Sequence, residues 1–257
     1  MPKLAITGKG GVGKTTLAAL LAYLYASEGR TVLAIDADPN ANLAAALGVP
    51  PELARQITPI AEMEELIAER TGTTPGTFGG FFKMNPRVDD IPQRFSVTHR
   101  GVKLLVMGTV DRGGSGCVCP ESVMLKTLVT YLLLGKGDVL IMDMEAGIEH
   151  LGRGTAGAVD AFIVVVEPGQ RSTQTAHTIK RLAADIGLTK VYVVGNKVRN
   201  DGDRAFIAEQ LPGETILGYL PYSPAAIESD LQGKAIFDMD AQMVAEARRI
   251  KERLPQG

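Results

Sequence analysis

The chain has 257 residues, 45% of them hydrophobic and 22% charged, with a formal net charge of −2. That length suits one doubly wound α/β domain over 1–257 with a sizeable core, and the balanced charge, lacking any Lys/Arg block, argues against a nucleic-acid or anionic-membrane surface. No apolar run approaches the roughly 18 residues of a membrane span, no signal-peptide pattern precedes the first strand, and two cysteines are too few for a disulfide framework, so a cytoplasmic protein is expected.

Leu4 to Thr7 reads as a short buried strand, and Leu17 to Ala26 has the apolar spacing and alanine content of a helix. Between them Gly8-Lys9-Gly10-Gly11-Val12-Gly13-Lys14-Thr15-Thr16 fits the phosphate-loop pattern G-x-x-x-x-G-K-[ST]. Small residues there let successive backbone N–H groups close around phosphate oxygens at a helix N-terminus, so Gly10 to Thr16 are expected to bind the phosphates of ATP or ADP. Lys14 pairs with the β/γ-phosphates and Thr15 holds Mg²⁺ in this pattern. Lys9, a second lysine in the loop, is by the loop alone either surplus charge or a reach elsewhere.

The next strand, Thr31 to Ile35, delivers Asp36-Ala37-Asp38-Pro39-Asn40 to its C-terminal edge, where α/β sheets bind ligands. Asp36 and Asp38 lie two apart, so a turn beginning at Asp36 is required for both to approach the phosphates. Asp36 is then expected in the hydrated Mg²⁺ shell and Asp38 beside the attacking water; helix capping or turn chemistry is the plainer alternative for the pair. Helical pieces are expected from Asn42 to about Thr71, broken at Val49-Pro50-Pro51 and near Thr58-Pro59. Gly72 to Arg94, rich in Gly, Pro and Thr, reads as an excursion from the sheet. Short strands at Phe95 to Val97 and Lys103 to Met107 precede a loop, about 108–120, that carries Cys117 and Cys119, and a helix over Glu121 to Leu134 follows.

Thereafter strands and helices alternate. Val139 to Met142 ends at Asp143, Ala161 to Val166 at Glu167-Pro168, Val191 to Val194 at Gly195-Asn196-Lys197, and Ile216 to Leu220 at Pro221-Tyr222. Helices at Ser172 to Ile186 and Asp203 to Leu211 separate the later strands, and right-handed crossovers then build a mostly parallel sheet with helices on both faces. The C-terminal helix, Ala241 to Leu254, presents Val244, Ala247, Ile250 and Leu254 as one stripe for packing on the domain.

Asp143 matches the acidic residue that phosphate-loop enzymes place near Mg²⁺, and Asp143-x-x-x-Gly147 suits a segment whose backbone N–H approaches a γ-phosphate. Asn196-Lys197-Val198-Arg199 lacks the Asp of the guanine-selective run Asn-Lys-x-Asp, which argues for adenine. Asn196 would offer an amide, Lys197 an aliphatic stem, and Pro221 and Tyr222 a wall of the base pocket. Cys117 and Cys119 are two soft ligands where a closed tetrahedral site wants four, a deficit that a symmetric dimer would fill. Zinc, Ni²⁺, Cu(I) and an Fe–S cluster all suit such thiolates, and a pair of inert residues beside a loop is the alternative.

The run Lys9 to Thr16 with Asp36-x-Asp38-Pro39 resembles the deviant phosphate-loop ATPases related to MinD, ParA and the nitrogenase iron protein. Within them Gly113-Gly114-Ser115-x-Cys117-x-Cys119, the stretch Met142 to Thr155, and Asn196-Lys197-Val198-Arg199-Asn200 look like the CooC-type accessory ATPases, over essentially the whole chain. The resemblance implies an ATP-dependent homodimer that matures a nickel enzyme, carbon monoxide dehydrogenase or acetyl-CoA synthase, and holds nickel or zinc between subunits through Cys117 and Cys119. It also implies that Lys9 crosses to the other subunit's ATP. Two other implications are weighed beside it: an iron–sulfur carrier ATPase, whose members use C-x-x-C, and a MinD/ParA-like positioning protein in which the cysteines are incidental.

Overall fold

The computed structural model describes residues 2–74, 81–109, 119–135, 137, 139–148 and 151–255. Strand β1 (Lys3–Gly8) leads through the phosphate loop into helix α1 (Lys14–Ser27) and strand β2 (Val32–Ala37). Short helices α2 (Leu43–Ala46) and α3 (Pro51–Ala54), a single 3₁₀ turn at Ile60–Glu62 and helix α4 (Glu64–Thr71) follow, interrupted at the prolines as expected. Helix α5 (Ile91–Phe95) precedes strands β3 (Val97–His99) and β4 (Val102–Val106). The remainder is α6 (Pro120–Leu134), β5 (Val139–Met144), α7 (Arg153–Ala156), β6 (Ala161–Val166), α8 (Gln170–Asp185), β7 (Val191–Val198), α9 (Asp201–Gln210), β8 (Ile216–Pro221), α10 (Ala225–Gln232), a second 3₁₀ turn at Ile236–Asp238 and α11 (Ala241–Glu252).

The eight strands form one sheet in the order β3-β4-β2-β5-β1-β6-β7-β8, with β3 antiparallel to β4 and every other pairing parallel. From β1 the chain crosses outward past β5 to reach β2, whereas from β5 it crosses over β1 to reach β6. The direction of winding therefore reverses at β1, and the carboxyl end of that strand is the switch point where open α/β sheets bind ligands. Alternation along each strand feeds two cores: Leu4 and Ile6 face one side with α1 and α11, and Ala5 faces the other with α6 and α8.

Helix α1 is apolar nearly all round because it is covered on several sides, by the sheet, by α2 and by α11. Its Leu17, Leu20, Leu21 and Leu24 are fully buried, each worth about 2 kcal/mol of transfer from water. On α11, Ala247 and Ile250 are buried, as is Leu254 just past its end, and Val244 packs partly against the same core, so the stripe seats on α1 and β8. Among the described residues no helix is long and apolar enough to cross a membrane.

Several boundaries depart from the sequence pattern. Strand β2 runs through Asp36 to Ala37, because its ladder to β4 and β5 continues past the apolar run and Met107 N–H donates to the Asp36 carbonyl at 2.8 Å. The turn thus begins after Ala37 and not at Asp36. Likewise β7 extends to Val198, placing Asn196 and Lys197 on a strand where a loop was expected. Phe95 closes helix α5 and does not open a strand; Pro92 in the first turn starts that helix and the Arg94–Asp90 ion pair links its ends. Residues 75–80 of the excursion, and residues 110–118 with Cys117, lie outside the described residues.

Candidate functional site

The phosphate loop is built at the carboxyl end of β1, and its backbone conformation explains its glycines. Gly13, immediately before α1, has φ +93°, and a β-carbon there would lie 2.0 Å from Asn196 Nδ2. At Gly8 a β-carbon would lie 2.4 Å from the Val165 carbonyl oxygen on β6. Gly10, Gly11, Thr15 and Thr16 line a cleft of about 800 Å³, together with Ala226, Ile227, Asp230 and Lys234, on and just past α10.

Lys14 is buried, and its Nζ lies 3.5 Å from Asp38 Oδ2 at the mouth of β2. The two sequence-predicted residues therefore meet. Asp36 and Asp143 are register partners on adjacent strands, both with no exposed surface. Asp36 accepts from Leu43 N–H at 2.8 Å and from Asp38 N–H at 3.2 Å, so its carboxylate organises the turn out of β2. Burial nevertheless pushes it up to about 6, against those two hydrogen bonds and with help from the Asp38 charge. The capping and turn chemistry weighed as its plainer alternative is thus part of what Asp36 does.

Asp143 is different. Burial pushes it up to about 7, the Asp36 and Asp38 charges add to the rise, and the Thr15 hydroxyl and Lys14 oppose it. Neither carboxylate oxygen has a donor at full hydrogen-bond geometry. A buried, unpartnered carboxylate beside the Lys14-Thr15 end of the phosphate loop is a group that a divalent cation would satisfy, and the donor set, all oxygen, suits Mg²⁺. Among the described residues no three His, Cys, Asp or Glu side chains converge as a metal-ligating cluster, so Asp36, Asp38 and Asp143 do not themselves form a closed cage.

Asn196 and Lys197 are brought to the loop as braces. Asn196 donates through Nδ2 to the Val12 carbonyl at 2.8 Å, and its Oδ1 accepts from Lys197 N–H at 2.8 Å. Lys197 adopts φ +56°, uncommon outside glycine, and its Nζ donates to the Gly11 carbonyl at 2.6 Å and pairs with Glu167 at 3.0 Å. Pro221 and Tyr222 stand on the same edge, with Tyr222 N–H donating to the Val198 carbonyl at 3.0 Å and its side chain half exposed. Lys9 is partly exposed, and its ammonium makes no ion pair or hydrogen bond among the described residues. Cys119 forms the N-cap of α6, its Sγ accepting from Ser122 N–H at 3.5 Å.

Three contributors escaped the sequence pattern: Thr7, which bonds the segment after β5; Glu167, which holds Lys197; and α10, which walls the cleft. The helix was signalled by Ser223-Pro224 at its start and left-handed Gly233 at its end. The other two had only their positions at strand ends.

Residues 3–237 match the family model described as the CobQ/CobB/MinD/ParA nucleotide binding domain. The carbon monoxide dehydrogenase accessory protein CooC of Rhodospirillum rubrum is 48% identical over 237 residues, 92% of this chain and 90% of that protein. The chain is a CooC-type member of the MinD/ParA class of nucleotide-binding proteins. An uncharacterized ATP-binding protein of Methanocaldococcus jannaschii is 45% identical over 96% of this CooC-type chain and 95% of its own length. The fold agrees: a chain of the MinC:MinD cell division protein complex of Aquifex aeolicus superposes with a TM-score of 0.70 at 22% identity, covering 100% of this chain and 97% of that one.

Proposed function

We propose that this CooC-type protein is an ATPase that closes as a homodimer over ATP and delivers nickel to carbon monoxide dehydrogenase or acetyl-CoA synthase. The observation that carries the proposal is the chain-long similarity to CooC, a carbon monoxide dehydrogenase accessory protein, joined to the Cys117-x-Cys119 pair. Nickel is cargo here, with zinc as a second candidate for the same thiolates.

In the nucleotide site the backbone N–H groups of Gly10 to Thr16 receive the phosphates, and Lys14 leaves its Asp38 partner to neutralise them. Asp38, freed at the same moment, orients the attacking water. Thr15 and Asp143 would hold Mg²⁺, with Asp36 in its outer shell, and the cation would supply charge neutralisation at the β- and γ-oxygens. Asn196 and Lys197 fix the loop beneath the nucleotide while Pro221 and Tyr222 border the adenine. Lys9 reaches the partner subunit's ATP in this reading, as an arginine finger acts in trans. ATP thereby brings two copies of Cys117 and Cys119 into one four-thiolate site, and hydrolysis loosens it.

Nickel titration of reduced, metal-free protein in ATP and in ADP tests this. The wild type should bind one nickel per dimer more tightly with ATP, and the double variant Cys117→Ser, Cys119→Ser should lose the metal while keeping nucleotide. Retention of one metal per dimer by the double variant would refute the thiolate site, and equal nickel affinity in both nucleotides would refute the coupling.

A further inference from the structure

Thr7 has no exposed surface and lies on β1, the strand at the switch point. Its hydroxyl donates to the Glu145 carbonyl at 2.6 Å, lies 3.2 Å from the Gly147 carbonyl, and accepts from Gly147 N–H at 3.2 Å. That N–H also reaches the Glu145 carbonyl at 2.8 Å, so the segment after β5 is curled back on itself and pinned to β1. A hydroxyl can serve as donor and acceptor at once, which is what one pin for both a C=O and an N–H requires. Glu145 and Ala146 meanwhile line the cleft over the phosphate loop.

Gly147 is the residue whose spacing from Asp143 suits contact with a γ-phosphate, and in this structure its N–H is spent on Thr7 and Glu145. For the N–H to serve a phosphate, the bond to Thr7 has to open. We infer that Thr7 is a positioning residue that holds the Glu145–Gly147 segment with the Gly147 N–H engaged on β1, and so sets how strongly the protein prefers a nucleotide bearing a γ-phosphate over one without. The inference rests on the ATP-dependent reading above and names the group that tunes it. No covalent step is involved.

The experiment measures the affinities of wild type, Thr7→Val and Thr7→Ser for AMPPNP and ADP with Mg²⁺. Val keeps the shape of Thr and removes the hydroxyl, so the ratio of ADP to AMPPNP dissociation constants should rise about fivefold, the worth of one neutral hydrogen bond. Ser restores the hydroxyl and should restore the wild-type ratio. General damage to β1 would weaken both nucleotides alike; an unchanged or lowered ratio in Thr7→Val would overturn the inference. Should the Val variant fail to fold, the Gly147 amide resonance of the wild type decides: it should move with AMPPNP and stay in place with ADP, and an equal response to both would overturn the pin. Wild type that binds AMPPNP and ADP equally would instead refute the γ-phosphate reading on which it rests.

Discussion

Asp143→Asn in the metal-free, nucleotide-free protein gives the sharpest test of the site's electrostatics. The wild-type carboxyl is pushed from an ordinary 3.8 up to about 7, chiefly by burial. Because the folded-state value is the higher one, protonation favours folding: the contribution is intact below about pH 4 and is lost as pH rises through about 7. The interval corresponds to about 4 kcal/mol at 1.36 kcal/mol per pH unit, of which about 3 kcal/mol is lost between pH 5 and pH 8. Asparagine cannot ionise, so the variant should escape that loss. It leaves a buried amide without partners at every pH, a constant cost of about 1–3 kcal/mol that lowers the whole curve without tilting it. Urea midpoints at pH 5, 6, 7 and 8, with chelator and fixed ionic strength, should therefore fall with pH more steeply for wild type than for the variant, the residual slope belonging largely to Asp36 at about 6. Added Mg²⁺ should raise the wild-type midpoint at pH 8 and leave the variant's unchanged. Parallel pH profiles for the two proteins would refute the claim that burial holds the Asp143 carboxyl well above its ordinary value.

Two further substitutions probe the loop. Gly13→Ala places a β-carbon 2.0 Å from Asn196 Nδ2 at φ +93°, so it should displace the Asn196 brace, cost about 1–3 kcal/mol in a denaturant series and weaken ATP binding; wild-type values for both would show that the brace yields freely. Lys9→Ala should bind ATP but no longer dimerise with it, as read by elution volume with and without ATP, and its hydrolysis rate should fall with dimerisation; normal dimerisation and turnover would remove Lys9 from its cross-subunit role.

Much of this architecture is legible in local pattern. Short apolar runs ending in Asp36, Asp143, Glu167 or Asn196 mark strands that deliver polar groups to one edge, and the phosphate loop between Ile6 and Leu17 identifies that edge. What the pattern does not contain is contact across the chain. Asn196 meets Val12 at a separation of 184 residues and Lys197 meets Gly11 at 186, so their bracing of the loop follows from β7 running two strands away from β1 and nothing in their own neighbourhood. The ends of β2 and β7 ran longer than their apolar runs for a related reason. A strand continues as far as its neighbours offer hydrogen bonds, whatever the polarity of its last side chains. Thr7 was read as the close of a strand because its partner, Gly147, lies 140 residues away.

The central place of β1 bears on how the protein comes into being. The strand is made before its two ladder partners, β5 and β6, and the loop it carries is held by Asn196 and Lys197, which come later still. During synthesis the N-terminal third therefore emerges without the surfaces that would fix it, and such distant pairings make folding slow. The phosphate loop between β1 and α1 is completed only when the chain has grown past Val198. A chain that stops short of β7 would hold the phosphate loop without its braces.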